Sequence, residues 1–264
     1  MAYPKLGAFG PALANGRDGL PRWPGLGSAP GVLRSCDWLG TVVFASSGAI
    51  TAASCGLDLL GVTIIGTVTA IGGGTIRDAV VLHKQPFWLE EYEYLLMSAA
   101  AAAATFFLWP ALPSGNAVKA ADGGEGPLMW WGDAIGVGAF AVIGAQNALR
   151  MCVHPSVAAV CGMLTATGGG LTRDVICGLP ADRNSSGRIL HSRAELYAST
   201  ALVGATVYVG ARQAGLGYGP RVLAGAGAAV ALRYLAAEHG LGLPAWGQPQ
   251  GLTAARAREA SRAD

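Results

Sequence analysis

Charge is scarce in this chain. Asp, Glu, Lys and Arg make up 13% of its 264 residues, about half the ~25% usual in a soluble domain. The net charge of +2 is too small to attract a nucleic acid, so none is expected as a partner. Five cysteines (Cys36, Cys55, Cys152, Cys161, Cys177) form no C-x-x-C pair. Lying in or beside apolar segments, they read as small buried hydrophobes rather than a metal site or disulfide framework. His83, His154, His191 and His239 lack metal-ligand spacing. No Ser/His/Asp set, H-E-x-x-H or paired carboxylate falls within an apolar segment, so an enzyme is not expected and no cofactor is implied. Nothing in the first 35 residues resembles the apolar core of a signal peptide. Their Gly, Pro, Lys5, Arg17, Arg22 and Arg34 predict a disordered tail.

Apolar sequence is plentiful: 52% of residues are hydrophobic and 40 are glycine. The glycines are scattered through apolar runs, a pattern that suits close helix–helix approach in lipid. Seven such segments follow the tail: Trp38–Leu57, Leu59–His83, Tyr94–Leu112, Trp130–Leu149, Pro155–Leu179, Leu196–Ala211 and Arg221–Ala237. Segments near 20 residues match the length of a membrane-spanning helix, and backbone without water must be helical or closed into a barrel. The expectation is an all-α membrane protein with seven transmembrane helices. Phe87, Trp88, Tyr92 and Tyr94 read as an interfacial aromatic belt. Residues 113–129 read as a linker, the polar stretch Asp182–Arg193 as a loop, and 240–264 as a polar tail.

Within the second segment stands Gly72-Gly73-Gly74-Thr75-Ile76-Arg77-Asp78, and within the fifth Gly168-Gly169-Gly170-Leu171-Thr172-Arg173-Asp174, 96 positions later. Glycine costs a helix about 1 kcal/mol per residue, and a charge at membrane depth about 2.5 kcal/mol or more. Carrying both twice at one spacing demands a reason. Aligned without gaps, residues 37–78 and 133–174 share 15 of 42 positions, including Asp37/Asp133, Gly40/Gly136, Phe44/Phe140 and Gly48/Gly144. The motif lacks the G-K-[ST] ending of a phosphate-binding loop and does not satisfy G-x-G-x-x-G.

Each copy holds three helices, residues 36–112 and 130–211, and residues 212–239 supply a seventh without a counterpart. Because three is odd, the second copy enters from the opposite side, so the copies form a 3+3 inverted repeat. Lys and Arg outside the motifs number 8 on each side, so the positive-inside rule gives no orientation. Both triple glycines fall near mid-span, where consecutive glycines permit unwinding. Helices 2 and 5 are therefore expected to be broken there, their freed backbone groups facing a solute or ion. Arg77 and Arg173 lie roughly 9 Å beyond each midpoint at 1.5 Å per residue, on opposite sides of it. Successive helical residues point about 100° apart, so cross-helix partners such as Asp37 or Asp133 are conceivable, although both also suit helix N-caps. Gln146 and Asn147 read as polar glue between helices. A purely structural reading stands beside this: the glycines simply let two helices cross closely. A third reading makes the arginines a lipid-headgroup site.

The doubled G-G-G-x-x-R-D, with Asp37-x-x-Gly40-x-x-x-Phe44-x-x-x-Gly48-Ala49, its repeat at Asp133, and Glu195-Leu196-Tyr197, resembles the bacterial membrane-protein family named for a "glycine transporter" domain, in two tandem copies over roughly residues 36–238. That family is similar in architecture to the trimeric intracellular cation channels. The resemblance implies seven helices as 3+3+1, glycine kinks in helices 2 and 5, one pore per subunit and a homotrimer. Carried over position by position, it favours Gly72, Gly73, Gly74, Gly168, Gly169 and Gly170 as pathway-lining, with Arg77, Asp78, Arg173 and Asp174 nearby. The implied partners are membrane lipid and a small solute or monovalent cation, glycine included. The implied location is a bacterial inner membrane, or an organelle membrane in a eukaryote. A non-transporting scaffold or lipid-binding protein is the rival reading.

Overall fold

A computed structural model describes residues 19–111, 127–178 and 196–243. The expected linker through residue 126, the Asp182–Arg193 loop and the tail beyond residue 243 lie outside these residues, as does the chain before Gly19. Seven α-helices form among the described residues: α1 (Ala29–Ser54), α2 (Leu59–Ile76), α3 (Glu93–Leu108), α4 (Pro127–Arg150), α5 (Pro155–Ile176), α6 (Ala198–Gln213) and α7 (Tyr218–His239).

Local chemistry explains the boundaries. Ser28 caps α1, its hydroxyl accepting from the Gly31 N–H, and a proline sits in the first turn, where its missing N–H is no loss. Asp58 caps α2 through the Gly61 N–H at 2.8 Å. His154 and Pro155 open α5 in the same way. Gly240 ends α7 in the left-handed conformation that glycine adopts without steric cost.

Two expectations about these ends are corrected. The tail was expected through residue 35, but α1 begins at Ala29, because Ser28 and Pro30 supply a start signal ahead of the apolar run. Consequently Asp37 lies inside α1 rather than at its cap, and Asp133 likewise lies inside α4.

The expected breaks at the triple glycines are also absent. Both α2 and α5 run as unbroken α-helix through Gly72–Gly74 and Gly168–Gly170. Close packing of one helix on the other holds the backbone where propensity alone would loosen it. The departure from α geometry comes three residues later, where Arg77–Val81 continues α2 as a π-helical turn, a rare form that favours functional positions.

The helices pack in a pattern that recurs between the two halves. In the first, α1, α2 and α3 contact one another, and in the second so do α4, α5 and α6; α1 meets α4, and α2 meets α5. Helix α7 lies against α4 and α6. Small residues set the contacts. A Cβ on Gly66 would meet Ala102 Cβ at 2.6 Å, and one on Gly162 would meet Ala205 Cβ at 2.6 Å. A Cβ on Gly48 would meet Thr69 Oγ1 at 2.4 Å, and one on Gly144 would meet Thr165 Oγ1 at 2.3 Å. Phe44 and Phe140 join across the α1–α4 contact with ring centroids 5.1 Å apart.

Large apolar side chains such as Leu60, Ile64, Leu96, Phe107, Val175 and Leu223 face outward. By length and hydropathy, Leu59–Val81 and Glu93–Ala111 are apolar enough to cross a membrane. The remaining helices carry polar residues along their length, among them buried Asp37, Asp133, Asp174 and Arg233, which lower their hydropathy without exposing those charges.

Candidate functional site

At the centre, α2 and α5 cross on their triple glycines. A Cβ on Gly72 would stand 3.2 Å from the Gly169 Cα, and one on Gly168 would stand 3.2 Å from the Gly73 Cα. A Cβ on Gly73 would come 2.3 Å from the Thr165 carbonyl oxygen, and one on Gly169 would come 2.0 Å from that of Thr69. Any side chain here would part the helices. Gly74 turns instead toward the Phe87 ring, and Gly170 is buried on α5.

Each helix then reaches its Arg-Asp pair. Arg77 Nε donates to Asp78 Oδ1 at 2.7 Å, and Arg173 Nε donates to Asp174 Oδ1 at 2.8 Å. The long arginine stem curls back across the turn between neighbouring positions, so each pair closes on itself. Arg77 also reaches across to Thr165 Oγ1 at 3.4 Å, and Arg173 to Ser47 Oγ at 3.4 Å. Asp78 is fully buried and heavily satisfied. Its Oδ1 also meets Lys84 Nζ at 3.3 Å, and its Oδ2 accepts from the Phe87 N–H at 3.1 Å. This one carboxylate thus fixes the segment that follows the π turn.

Asp37 and Asp133 are not the partners of the motif arginines. Asp37 accepts from Arg34 at 2.9 Å and from the Tyr94 hydroxyl. Asp133 pairs with Arg233 at 2.5 Å and accepts from the Tyr197 hydroxyl at 3.2 Å. Each half therefore contains an Asp–Tyr–Arg group, its arginine drawn from α1 in one half and from α7 in the other. Both guanidiniums lie over the tyrosine ring, 5.7 Å from Tyr94 and 4.5 Å from Tyr197, within cation–π range. Gln146 accepts from the Tyr208 hydroxyl at 3.1 Å.

Sequence reasoning did not find Tyr94, Tyr197 or Arg34 in these roles. By composition alone, Tyr94 reads as part of an interfacial belt and Arg34 as part of the tail. The i,i+3 spacing of Arg34 and Asp37 was the available signal. The tyrosines stand 103 positions apart rather than 96, so an ungapped alignment does not pair them.

A cavity opens beside the glycine crossing. Its lining includes Arg34, Asp37, Thr41, Gly74, Arg77, Lys84, Glu91, Tyr94, Asn147 and Thr165. About 40 Å³ is open to the centres of water-sized molecules, and one water needs roughly 10–15 Å³ by this measure, so a few waters or a partly dehydrated ion fit. Arg34 sits between two carboxylates, Asp37 at 2.9 Å and Glu91 at 3.3 Å, whereas Asp78 sits between the two cations Arg77 and Lys84. Charges at this depth are affordable only when paired in this way. Of the expected site residues, Gly74, Arg77 and Asp37 line the cavity, and Asp78 stands directly behind Arg77 and Lys84. Gly72, Gly73, Gly168 and Gly169 form the packed crossing, Gly170 is buried beside it on α5, and Arg173, Asp174, Asp133 and Gln146 lie elsewhere. Among the described residues, no cluster of three His, Cys, Asp or Glu is arranged to hold a metal ion.

Comparison with known proteins sets this all-helical fold among membrane channels and transporters. The backbone superposes on a TRIC cation channel with a TM-score of 0.70 at 30% identity, covering 83% of this chain and 100% of that one. It superposes on the trimeric intracellular cation channel orthologue from Rhodobacter sphaeroides with a TM-score of 0.64 at 33% identity, covering 80% and 99%. The sequence profile of the family described as Glycine transporter matches residues 34–110 and 130–213, and the chain belongs to that family. Its relatives include a UPF0126 membrane protein of Vibrio cholerae, 32% identical over 212 residues, which cover 79% of this chain and 80% of that protein. An inner membrane protein of Escherichia coli strain K12 is 33% identical over 175 residues, 65% of this chain and 75% of the relative. A membrane protein of Bacillus subtilis is 35% identical over 189 residues, 70% and 83%.

Proposed function

We propose that the chain conducts a small monovalent cation or small solute, glycine being the family's namesake, across a bacterial inner membrane. In this reading all seven helices span the bilayer, α1–α3 and α4–α6 are inverted copies, and three copies of the chain assemble with one pathway each. The pathway runs between the halves through the polar cavity and past the α2–α5 crossing. Gly72, Gly73, Gly168 and Gly169 bring the helices together there, with Gly74 and Gly170 beside them on the pathway, and the Arg77–Asp78 and Arg173–Asp174 pairs flank it on either side.

The observation that carries the proposal is the cavity itself. It is a space for a few waters between the two halves, holding five charged side chains of both signs (Arg34, Asp37, Arg77, Lys84, Glu91) in a chain otherwise poor in charge. A scaffold has no use for such a space at membrane depth, where ionisable groups mark pathways. The similarity to cation channels supports the same reading.

Flux of K⁺, Na⁺ and glycine into liposomes decides the matter. Substituting the glycines is a poor test, because a Cβ at Gly73 already meets backbone at 2.3 Å and would disturb the whole bundle. Asn147→Leu instead removes the polarity of the lining while keeping the branched shape of the side chain. It should lower flux roughly tenfold, the effect of desolvating a passing ion by about 1.4 kcal/mol more. Flux unchanged in that variant would remove the cavity from the pathway, and no flux of any solute in the parent would favour the scaffold or lipid-binding reading.

A further inference from the structure

The family match begins at residue 34, yet the chain ahead of it is folded onto the bundle. Leu20 is fully buried within the main apolar cluster. The Pro21 carbonyl accepts from Arg34 Nε at 2.8 Å. Arg22 donates to Glu93 Oε1 through Nε at 2.9 Å and through its terminal nitrogen at 2.5 Å. Trp23 packs on Trp38 with ring centroids 5.8 Å apart, and Trp38 packs in turn on Tyr94 at 6.2 Å. At the far end, the Gly19 backbone lies against the Arg150 guanidinium, so close that a Cβ there would stand 1.8 Å from it. Gly19 has φ +73°, which lets the chain turn at that contact.

These anchors bracket one end of the cavity. Arg34 and Tyr94, which Pro21, Arg22 and Trp23 hold directly or through one neighbour, line its α1–α3 wall. Asn147, one turn before Arg150, lines its α4 wall. A segment pinned at Glu93 and Trp38 on one side and at Arg150 on the other runs from the elements of one cavity wall to those of the other. Pro21 and Pro24 fix φ at two of its positions and limit its freedom to sag.

We propose that Gly19–Ser28 is a strap that closes this end of the cavity and restrains passage through it, a device lying outside the shared family domain. Its effect on flux rests on the proposed conduction, whereas its closure of the cavity does not. Leu20 seals the bundle beneath it, and the Arg22–Glu93 pair latches it to α3.

The test reads closure and flux separately, in the full chain. Thr41 lines the cavity and is buried, so Thr41→Cys in a background with the five natural cysteines replaced by alanine reports on access from water. The probe is a membrane-impermeant maleimide on protein reconstituted in vesicles. Arg22→Glu should raise the labelling rate at position 41 by roughly 3- to 30-fold, the range expected on losing a half-buried ion pair. The swap Arg22→Glu with Glu93→Arg should bring it back toward the parent value. Trp23→Ala, which removes a partly exposed ring and leaves the core intact, should raise it as well.

Flux of K⁺, Na⁺ and glycine should follow the labelling. Labelling unchanged in both Arg22→Glu and Trp23→Ala overturns the strap. Labelling that rises while no solute passes in any variant upholds the closure and removes the conduction reading instead. Failure of the charge swap to restore the parent rate overturns the Arg22–Glu93 latch. Should Arg22→Glu not elute as the parent does on size exclusion, Trp23→Ala carries the test alone.

Discussion

Gly72 on α2 and Gly169 on α5 face each other at backbone contact: a Cβ on the first would stand 3.2 Å from the Cα of the second. The same contact recurs between Gly168 and Gly73 at 3.2 Å, so each half gives the other what it receives. This reciprocity fits two copies related by a two-fold axis through the crossing. It also assigns the costly glycines to joining the halves, leaving the adjacent polar space as the candidate route.

The crossing predicts a graded response to alanine. Gly169→Ala would place a methyl 2.0 Å from the Thr69 carbonyl oxygen, which only a shift of the helix pair can relieve. Overpacking of this kind costs about 1–3 kcal/mol. Gly72→Ala meets its neighbour at 3.2 Å and should cost less. Gly227→Ala on α7 meets nothing within 4 Å and should gain up to about 1 kcal/mol of helix propensity. Thermal midpoints in detergent should order the variants as Gly227→Ala, then Gly72→Ala, then Gly169→Ala from highest to lowest. An equal midpoint for the last two would refute backbone-limited packing at the crossing.

A second expectation concerns the Asp133–Arg233 pair at 2.5 Å, with both residues buried. Asp133→Asn removes the carboxylate that stands 2.5 Å from the buried Arg233 guanidinium, and breaking such a pair by removing one partner costs about 3–5 kcal/mol. Replacing both, as Asp133→Asn with Arg233→Met, removes the buried cation along with its carboxylate and should recover most of that loss. A double-mutant cycle on chemical unfolding measures the coupling. Additive losses would mean that the two groups do not stabilise each other.

Conduction makes a third prediction through Arg77. Its charge lines the cavity and opposes any passing cation; two like charges about 8 Å apart interact by about 2 kcal/mol at an effective dielectric of 20. Arg77→Gln leaves Asp78 with Lys84 and the Phe87 N–H, so the carboxylate stays satisfied. K⁺ flux should rise several-fold. Arg173→Gln, away from the cavity, should change flux less. A larger response from Arg173→Gln would move the narrowest part of the pathway to the other side of the crossing.

Much of this fold was legible because the copies retain their glycines and charges in one register. Gly66 and Gly162, or Gly48 and Gly144, identify the close contacts even before their partners are known. What the pattern could not give was competition between local and tertiary terms. Helix propensity at Gly72–Gly74 predicts a break, but propensity is weak beside the packing of a whole helix face, and the helix persists. The pairing of Arg77 was hidden for a related reason. Cα directions 100° apart suggest separate partners, whereas a four-torsion side chain readily spans that angle to reach Asp78. Leu20 and Arg22 were invisible because Gly and Pro around them dilute the apolar signal that a packed segment usually gives.

The inversion of the two halves can be tested with cysteines already in the chain. Cys55 follows the last turn of α1, Cys152 follows that of α4, and both are exposed. They are 97 positions apart, one more than the repeat offset, so they occupy nearly equivalent places in the two copies. Were the copies parallel in the membrane, equivalent places would face the same compartment. An odd number of spans, α1 to α3, between the two starts requires the opposite: α1 and α4 must then run in opposite directions and place the two thiols on opposite faces. Two variants, each keeping one of these cysteines and replacing the other four by alanine, should react with an impermeant maleimide in oppositely sealed vesicles. Cys55 should label in right-side-out or in inside-out vesicles, and Cys152 in the other. Reaction of both from one side would overturn the inverted repeat, and with it the placement of Arg77 and Arg173 on opposite flanks of the crossing.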